Sequence, residues 1–447
     1  MVGNITELVG NTPLVRLTKV ASGTKAQIYA KLEYLNPGGS VKDRIGISMI
    51  LDAERRALLK PGGTIVEPTS GNTGMGLALA AIQRGYKIIF TLPDKMSKDK
   101  VDLLRAVGAE VRVAPTNVPP GHPAGYIELA KAIAKSTPNA FMPNQYENRA
   151  NPAAHYATTG PEIWSQTRGK VGVLVAGVGT GGTISGAGRY LKEMNPAITI
   201  VGVDPEGSIL AGLHAGRKRI AAPYKIEGIG EDFLPPTLDL KVVDRFVTVS
   251  DREAMTMTRR LAREEGILAG SSSGAAVAGA LKVAPDMDAR LMVVMLPDTG
   301  RSYLNKVYND AWMEEQGFLP SSSRRVRVEA LMRSKKSRRK LTTASPKDSL
   351  SKASKAMAAH GVSYLPVVED DVQVGCLTAS SLLVKIGGPS KRVEDAMEPP
   401  LPTVDLNGSV MVPGSLLGGR GAVVVTEKQK PVDVLTAIDV VKYVAKR

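Results

Sequence analysis

Cysteine is almost missing from this 447-residue chain, in which Cys376 stands alone. One cysteine excludes an intramolecular disulfide framework and a multi-cysteine zinc site. No metal site is expected, and a reducing cytoplasm is the simplest compartment. Aromatic residues make up only 4% of the chain. No uninterrupted apolar run reaches the ~18 residues that a membrane-spanning helix needs. The start, Met1-Val2-Gly3-Asn4-Ile5-Thr6-Glu7, has no basic segment followed by an apolar run, so no signal peptide is expected. Acidic residues are in deficit, with 43 Asp and Glu against 58 Lys and Arg and a net charge of +15.

That excess is concentrated. Between Ser321 and Lys347 ten basic residues face Glu329 alone, a local net charge of +9. The segment has no interleaved aromatics for base stacking, so neither nucleic acid nor a membrane is expected as partner. A solvated basic linker over residues 321–340 is the expectation.

Glycine is plentiful at 45 residues, and 43% of the chain is hydrophobic. Length alone suggests two or three domains of ~150 residues. Residues 1–320 alternate apolar strand candidates with helical patterns. The strands include 28–32, 64–67, 87–92, 110–113, 173–176, 198–203 and 291–296, and the helices include 74–83 and 98–107. Continuous apolar runs point to parallel sheets covered on both faces. Two α/β subdomains with a cleft between them are expected.

After residue 340 the pattern changes to a smaller α+β tandem repeat over 341–447. In one unit Leu365–Val368, an acidic turn and Val374–Leu377 lead into Thr378-Ala379 and an apolar helix. In the other, Ala422–Val425, a polar turn and Val432–Leu435 lead into Thr436-Ala437 and a second such helix. The units span about 341–386 and 391–447.

Four loops carry the chemistry. Asn36-Pro37-Gly38-Gly39-Ser40-Val41 places Lys42 at the positive start of an apolar helix. That position favours a neutral amine, which can form a Schiff base. Thr69-Ser70-Gly71-Asn72-Thr73-Gly74 joins a strand to a helix and offers donors suited to a carboxylate or an anionic oxygen. Gly177-Val178-Gly179-Thr180-Gly181-Gly182-Thr183 lets the backbone approach a phosphate. It also satisfies G-x-G-x-x-G, with Asp204 ending the next strand, as a nicotinamide-dependent oxidoreductase would require. That reading leaves Lys42 and the Thr-Ser-Gly-Asn loop unused. The fourth loop, Gly270-Ser271-Ser272-Ser273-Gly274, opens another helix.

The stretches Asn36–Arg44, Glu67–Gly74 and Gly177–Thr183, with Gly202–Ser208, Glu227–Gly230 and Leu296-Pro297-Asp298, resemble the β-family of pyridoxal phosphate enzymes. Within it the chain resembles the cystathionine β-synthase family. The resemblance runs over about residues 4–320 and implies a tryptophan-synthase-β-like catalytic core. It implies that Lys42 anchors the cofactor covalently and moves the substrate α-proton. Asn72 would face the cofactor's 3′-oxygen, Gly179, Thr180, Gly181, Gly182 and Thr183 its phosphate, and Ser272 its pyridine nitrogen. Thr69, Ser70, Thr73 and Gln145 would hold the amino-acid carboxylate. Tyr146 and the Gly228-Ile229-Gly230 loop would border the leaving group and the incoming thiol.

The implied reaction condenses L-serine with L-homocysteine to L-cystathionine and water, with hydrogen sulfide as a further product. A cysteine synthase using O-acetylserine or O-phosphoserine with sulfide is the alternative. A non-catalytic adenosine sensor is disfavoured by intact Lys42, Asn72 and Ser272. No haem is expected, because no cysteine lies near the start of the chain. Glu231 stands where some relatives carry tyrosine, which leaves the preferred nucleophile open. The tandem repeat resembles a paired regulatory (Bateman) module. Thr436 and Asp439 fit its adenosine-ligand pattern, whereas the first repeat has Thr378 followed by Ser381. S-adenosylmethionine or an adenine nucleotide is the expected ligand, and a homodimer or homotetramer the expected assembly.

Overall fold

The computed structural model describes the chain except residues 70, 95–97, 116–121, 218–219, 288–289, 321–323, 336–340, 386–391, 413–420 and 446–447. It divides into two units, Met1–Tyr308 and Asn309–Arg447.

Ten strands are described in the first unit: β1 (Leu14–Arg16), β2 (Gln27–Leu32), β3 (Thr64–Pro68), β4 (Lys87–Pro93), β5 (Glu110–Ala114), β6 (Ala140–Phe141), β7 (Val171–Gly177), β8 (Thr199–Pro205), β9 (Arg245–Val249) and β10 (Leu291–Leu296). They form two sheets, ordered β1-β2-β10-β7-β8-β9 and β5-β4-β3-β6. Only β1 runs antiparallel to its neighbour. Val173, Leu174, Val175, Val293 and Val294 are fully buried, as strands covered on both faces require. The two expected α/β subdomains are therefore present.

The lysine, asparagine and glycine loops follow the carboxyl ends of β2, β3 and β7, where parallel sheets present ligand sites, and the serine loop lies between helices 251–264 and 271–283. Helices 42–55 and 72–84 bring two of these loops together. Gly46 and Gly76 lie at their contact. A Cβ on Gly46 would stand 2.2 Å from the Gly76 carbonyl carbon, and one on Gly76 2.4 Å from the Lys42 carbonyl oxygen. Beneath the lysine loop lies a buried ionic cluster. Arg44 pairs with Glu33 and with Glu162, each at 2.7 Å, and Lys31 pairs with Glu162 at 2.7 Å. Burial opposes ionisation of Glu162, but Arg44 and Lys31 hold its carboxyl at about 2. The cluster ties helix 42–55 to helix 160–166.

The second unit repeats a hairpin followed by a helix. In the first repeat β11 (Tyr364–Glu369) pairs with β12 (Val372–Thr378) before helix 379–385. In the second, β13 (Ala422–Glu427) pairs with β14 (Lys430–Thr436) before helix 437–444. Both hairpins turn on two residues of positive φ, Asp370-Asp371 and Lys428-Gln429, which matches the right-handed strand twist. The segment read as a linker contains folded structure. Residues 324–327 pair as a strand with 409–412, and helix 328–334 follows. Val326, Val328 and Leu331 are buried with Val423, Val425 and Leu435 of the second repeat. These apolar positions hold residues 324–334, where overall charge suggested solvent, and residues 321–323 and 336–340 of that segment lie outside the described residues.

Replacing Gly46 with Ala should force helices 42–55 and 72–84 apart. A loss of about 1–3 kcal/mol is expected, measured as a lower urea midpoint for unfolding of the first unit.

Candidate active site

Lys42 begins helix 42–55, with its amide donating to Ser40 Oγ at 3.2 Å. The preceding Val41 amide donates to the Pro297 carbonyl at 2.7 Å. A cavity joins Lys42 to Gly177, Gly179, Thr180, Gly181, Thr183, Gly228 and Ile229. Enclosure by protein lowers the pKa of the Lys42 ammonium, against the opposing influence of Asp298 and Glu231. Burial thus moves Lys42 towards its nucleophilic amine form.

The loop after β7 has the form of a phosphate cradle. Gly181 has φ 80° and caps helix 182–194. A Cβ on Gly179 would come within 2.7 Å of the Gly228 carbonyl oxygen, and one on Gly182 within 1.8 Å of Asn151 Oδ1. Side chains are therefore kept out, and backbone N–H groups at the positive helix end line the space. Thr183 Oγ1 lies 3.2 Å from His155 Nε2, and Thr159 holds His155 Nδ1 at 2.9 Å. Burial drives the His155 pKa well down, helped by the charges of Arg44 and Lys42, so the ring is neutral. Asn151 donates to Thr180 Oγ1 at 3.1 Å and to the Gln145 carbonyl at 2.8 Å.

In the loop after β3, Thr69 Oγ1 accepts the amides of Gly71 and Gly74, each at 3.1 Å. Thr69 thereby shapes the turn. Thr73 Oγ1 donates to Gln145 Oε1 at 2.6 Å. Thr69, Thr73 and Gln145 thus belong to one buried neighbourhood, and Ser70 lies outside the described residues. Glu67 accepts the Asn144 and Gln145 amides at 2.8 and 3.1 Å. Asn72 Nδ2 donates to Asp298 Oδ2 at 2.8 Å, and Tyr303 donates to the same oxygen at 2.5 Å. The other Asp298 oxygen is buried without a hydrogen bond among the described residues. Ser272 is 3% exposed in the first turn of helix 271–283.

Tyr146 packs against Phe233, their ring centroids 5.3 Å apart. Gly230 donates to the Val178 carbonyl at 2.7 Å, which fixes the Gly228–Gly230 loop over the cradle. Glu227 anchors that loop through Lys100 and Lys306, each at 2.5 Å. Asp204 Oδ2 accepts the Ala211 amide at 2.8 Å, capping a short helix. It has a structural use that the dinucleotide reading did not foresee.

The sequence reading assigned no role to Asp298, Asn151, His155, Glu67, Lys100 or Lys306. The quoted Leu296-Pro297-Asp298 motif was the one signal that could have singled out Asp298.

The enclosed amine, the side-chain-free anion cradle and the polar group at Asn72 together fit pyridoxal phosphate. The family description "Pyridoxal-phosphate dependent enzyme" matches residues 5–298, and "CBS domain" matches residues 328–388. A cystathionine beta-synthase of Dictyostelium discoideum is 40% identical over 461 residues, covering 99% of this chain and 92% of that protein. The chain belongs to the pyridoxal-phosphate dependent enzymes, in the cystathionine β-synthase family. The Apis mellifera cystathionine beta-synthase is 50% identical over 319 residues, or 71% of this chain. The match takes in 63% of the Apis protein, and 58% of the Oryctolagus cuniculus one, so the chain spans less than two thirds of either. The crystal structure of an O-acetylserine dependent cystathionine beta-synthase from Helicobacter pylori superposes with a TM-score of 0.63 at 42% identity. It covers 69% of this chain and 99% of its own. Pyridoxal phosphate is the family's cofactor. Among the described residues, no helix is long and apolar enough to cross a membrane, and no cluster could hold a metal ion.

Replacing Asp298 with Ala removes the acceptor that orients Asn72. Cofactor affinity should fall about tenfold or more, the worth of one hydrogen bond to a charged group. Spectrophotometric titration of the apoprotein with pyridoxal phosphate measures it.

Proposed function

We propose that the protein condenses L-serine with L-homocysteine to L-cystathionine and water. The observation that carries this reading is Lys42, enclosed in one cavity with the glycine cradle and with its pKa lowered by burial. The kinship with a relative of nearly equal extent named cystathionine beta-synthase supports it. Lys42 would hold pyridoxal phosphate covalently, with Gly179–Thr183 around the phosphate, Asn72 at the 3′-oxygen and Ser272 at the ring nitrogen. Bound cofactor supplies the electron sink that stabilises charge at the substrate α-carbon. Thr69, Ser70, Thr73 and Gln145 would fix the substrate carboxylate. That anchors the α-hydrogen near Lys42, whose free amine takes the proton and later returns it. Tyr146 and the Gly228–Gly230 loop would cover the β-carbon and limit water there.

The Helicobacter pylori neighbour, described as an O-acetylserine dependent cystathionine beta-synthase, supports a second reading in which O-acetylserine replaces serine as the donor. Product analysis with serine or O-acetylserine against homocysteine or sulfide separates the two. Cystathionine from serine is the expected result, and sulfide release is read in the same assay. Activity only with O-acetylserine and sulfide would make the protein a cysteine synthase. Lys42→Ala should be colourless and inactive; a yellow, active variant would refute the role of Lys42.

We also propose an adenosine-type ligand, S-adenosylmethionine or an adenine nucleotide, in the second unit. Thr436 and Asp439 are joined by two hydrogen bonds, from the Thr436 amide at 2.9 Å and its hydroxyl at 2.7 Å. Lys335 lies 3.8 Å from Asp439. In the first repeat Thr378 donates to Glu398 at 2.8 Å, and Ser381 occupies the corresponding cap position. The second repeat is therefore the favoured site. Calorimetry on the full chain should detect binding that Asp439→Ala weakens at least tenfold, the range for a hydrogen bond to a charged group. Equal heats in both proteins would refute the assignment.

A further inference from the structure

Glu231 is unused by the mechanism above, yet its backbone is fixed on both sides. Its amide donates to Ser208 Oγ at 3.0 Å. Its carbonyl accepts Ser208 Oγ at 3.1 Å and the Ile209 amide at 3.0 Å. It directly follows Gly230, which is bonded to Val178 in the phosphate loop, while Gly228 and Ile229 line the cavity of Lys42. The Glu231 side chain interacts with the Tyr146 hydroxyl and lies within charge range of Lys42. Tyr126, Tyr224, Asp204 and Asp232 also face it electrostatically. No cationic side chain forms an ion pair with it among the described residues.

Replacing a hydroxyl at the β-carbon needs two proton transfers there. Hydroxide must leave as water, and the incoming thiol must lose its proton. Resting on the function proposed above, we propose that Glu231 carries both protons, acting at the β-carbon while Lys42 serves the α-carbon. The carboxylic acid protonates the departing oxygen as the C–O bond breaks and its electron pair stays on oxygen. The resulting carboxylate takes the thiol proton as the C–S bond forms. Glu231 is thereby reset, and the sum is one water released for each thiol consumed. Burial pushes its carboxyl up to about 7. Asp232 and Asp204 add to the rise, while Tyr146 and Lys42 oppose it. Both protonation states are then populated near neutral pH, the best condition for an acid that must also act as a base.

The test uses full-length protein with bound cofactor, with Glu231→Gln against wild type and homocysteine as thiol. Acetate leaves without a proton, so O-acetylserine bypasses the first transfer. In the variant, kcat/KM for serine relative to O-acetylserine should fall about tenfold or more. Exchange of the serine α-hydrogen with deuterated water should stay within about threefold of wild type, since Lys42 handles that proton. Infrared titration should find a carboxyl band that ionises near neutral pH and is absent from the variant. Glu231→Asp, which keeps an acid, should recover part of the ratio. An unchanged ratio would overturn the proposal. So would loss of exchange together with both activities, which would mark Glu231 as a structural prop. Wild-type turnover of serine with homocysteine tests the proposed function; only the difference between variant and wild type tests Glu231.

Discussion

The site depends on three residues at the end of β10. Pro297 accepts the Val41 amide, Asp298 accepts the Gly270 amide through its carbonyl, and Thr299 donates to the Gly39 carbonyl. The Asp298 carboxylate binds the Asn72 side chain. One turn thus sets the positions of the lysine loop, the asparagine loop and the serine loop. A central parallel strand is the most rigid support available, and its carboxyl end faces the cleft. The residues expected to meet the amine, the 3′-oxygen and the ring nitrogen of one cofactor are fixed to a common point.

Burial then sorts the ionisable groups by task. Glu162 and Arg44 stay charged because they pair. Lys42 lacks an ion pair that close among the described residues, and desolvation moves it towards its neutral form. Glu231 is moved the same way, to about 7. The protein therefore holds an amine and a carboxyl, both shifted towards neutrality, within electrostatic range of each other. Such opposed shifts are how a single site carries out acid and base steps near pH 7.

The loops of the candidate site were legible in sequence, because glycine, proline and small polar residues mark the turns that lead into helices. Lys42, Asn72, Gly179 to Thr183 and Ser272 all lie in such turns. Asp298 was not, since its bond to Asn72 spans 226 residues. Asn151 beside Gly182 and Glu67 beneath Gln145 were hidden in the same way. Among the elements, β1 and β6 have three and two residues, too short for a periodic signal. Helix 251–264 could have been found from Ser250 and Glu253, which form a capping box. The basic segment misled because charge dominates its composition, while its fold rests on Val326, Val328 and Leu331.

The central claim is that Lys42 alone carries the cofactor. Borohydride reduction of the yellow protein, followed by proteolysis and mass mapping, tests it most directly. The account predicts a phosphopyridoxyl mass on the peptide that contains Lys42. The same mass on a peptide holding Lys31, Lys100 or another lysine, with Lys42 unmodified, would contradict it.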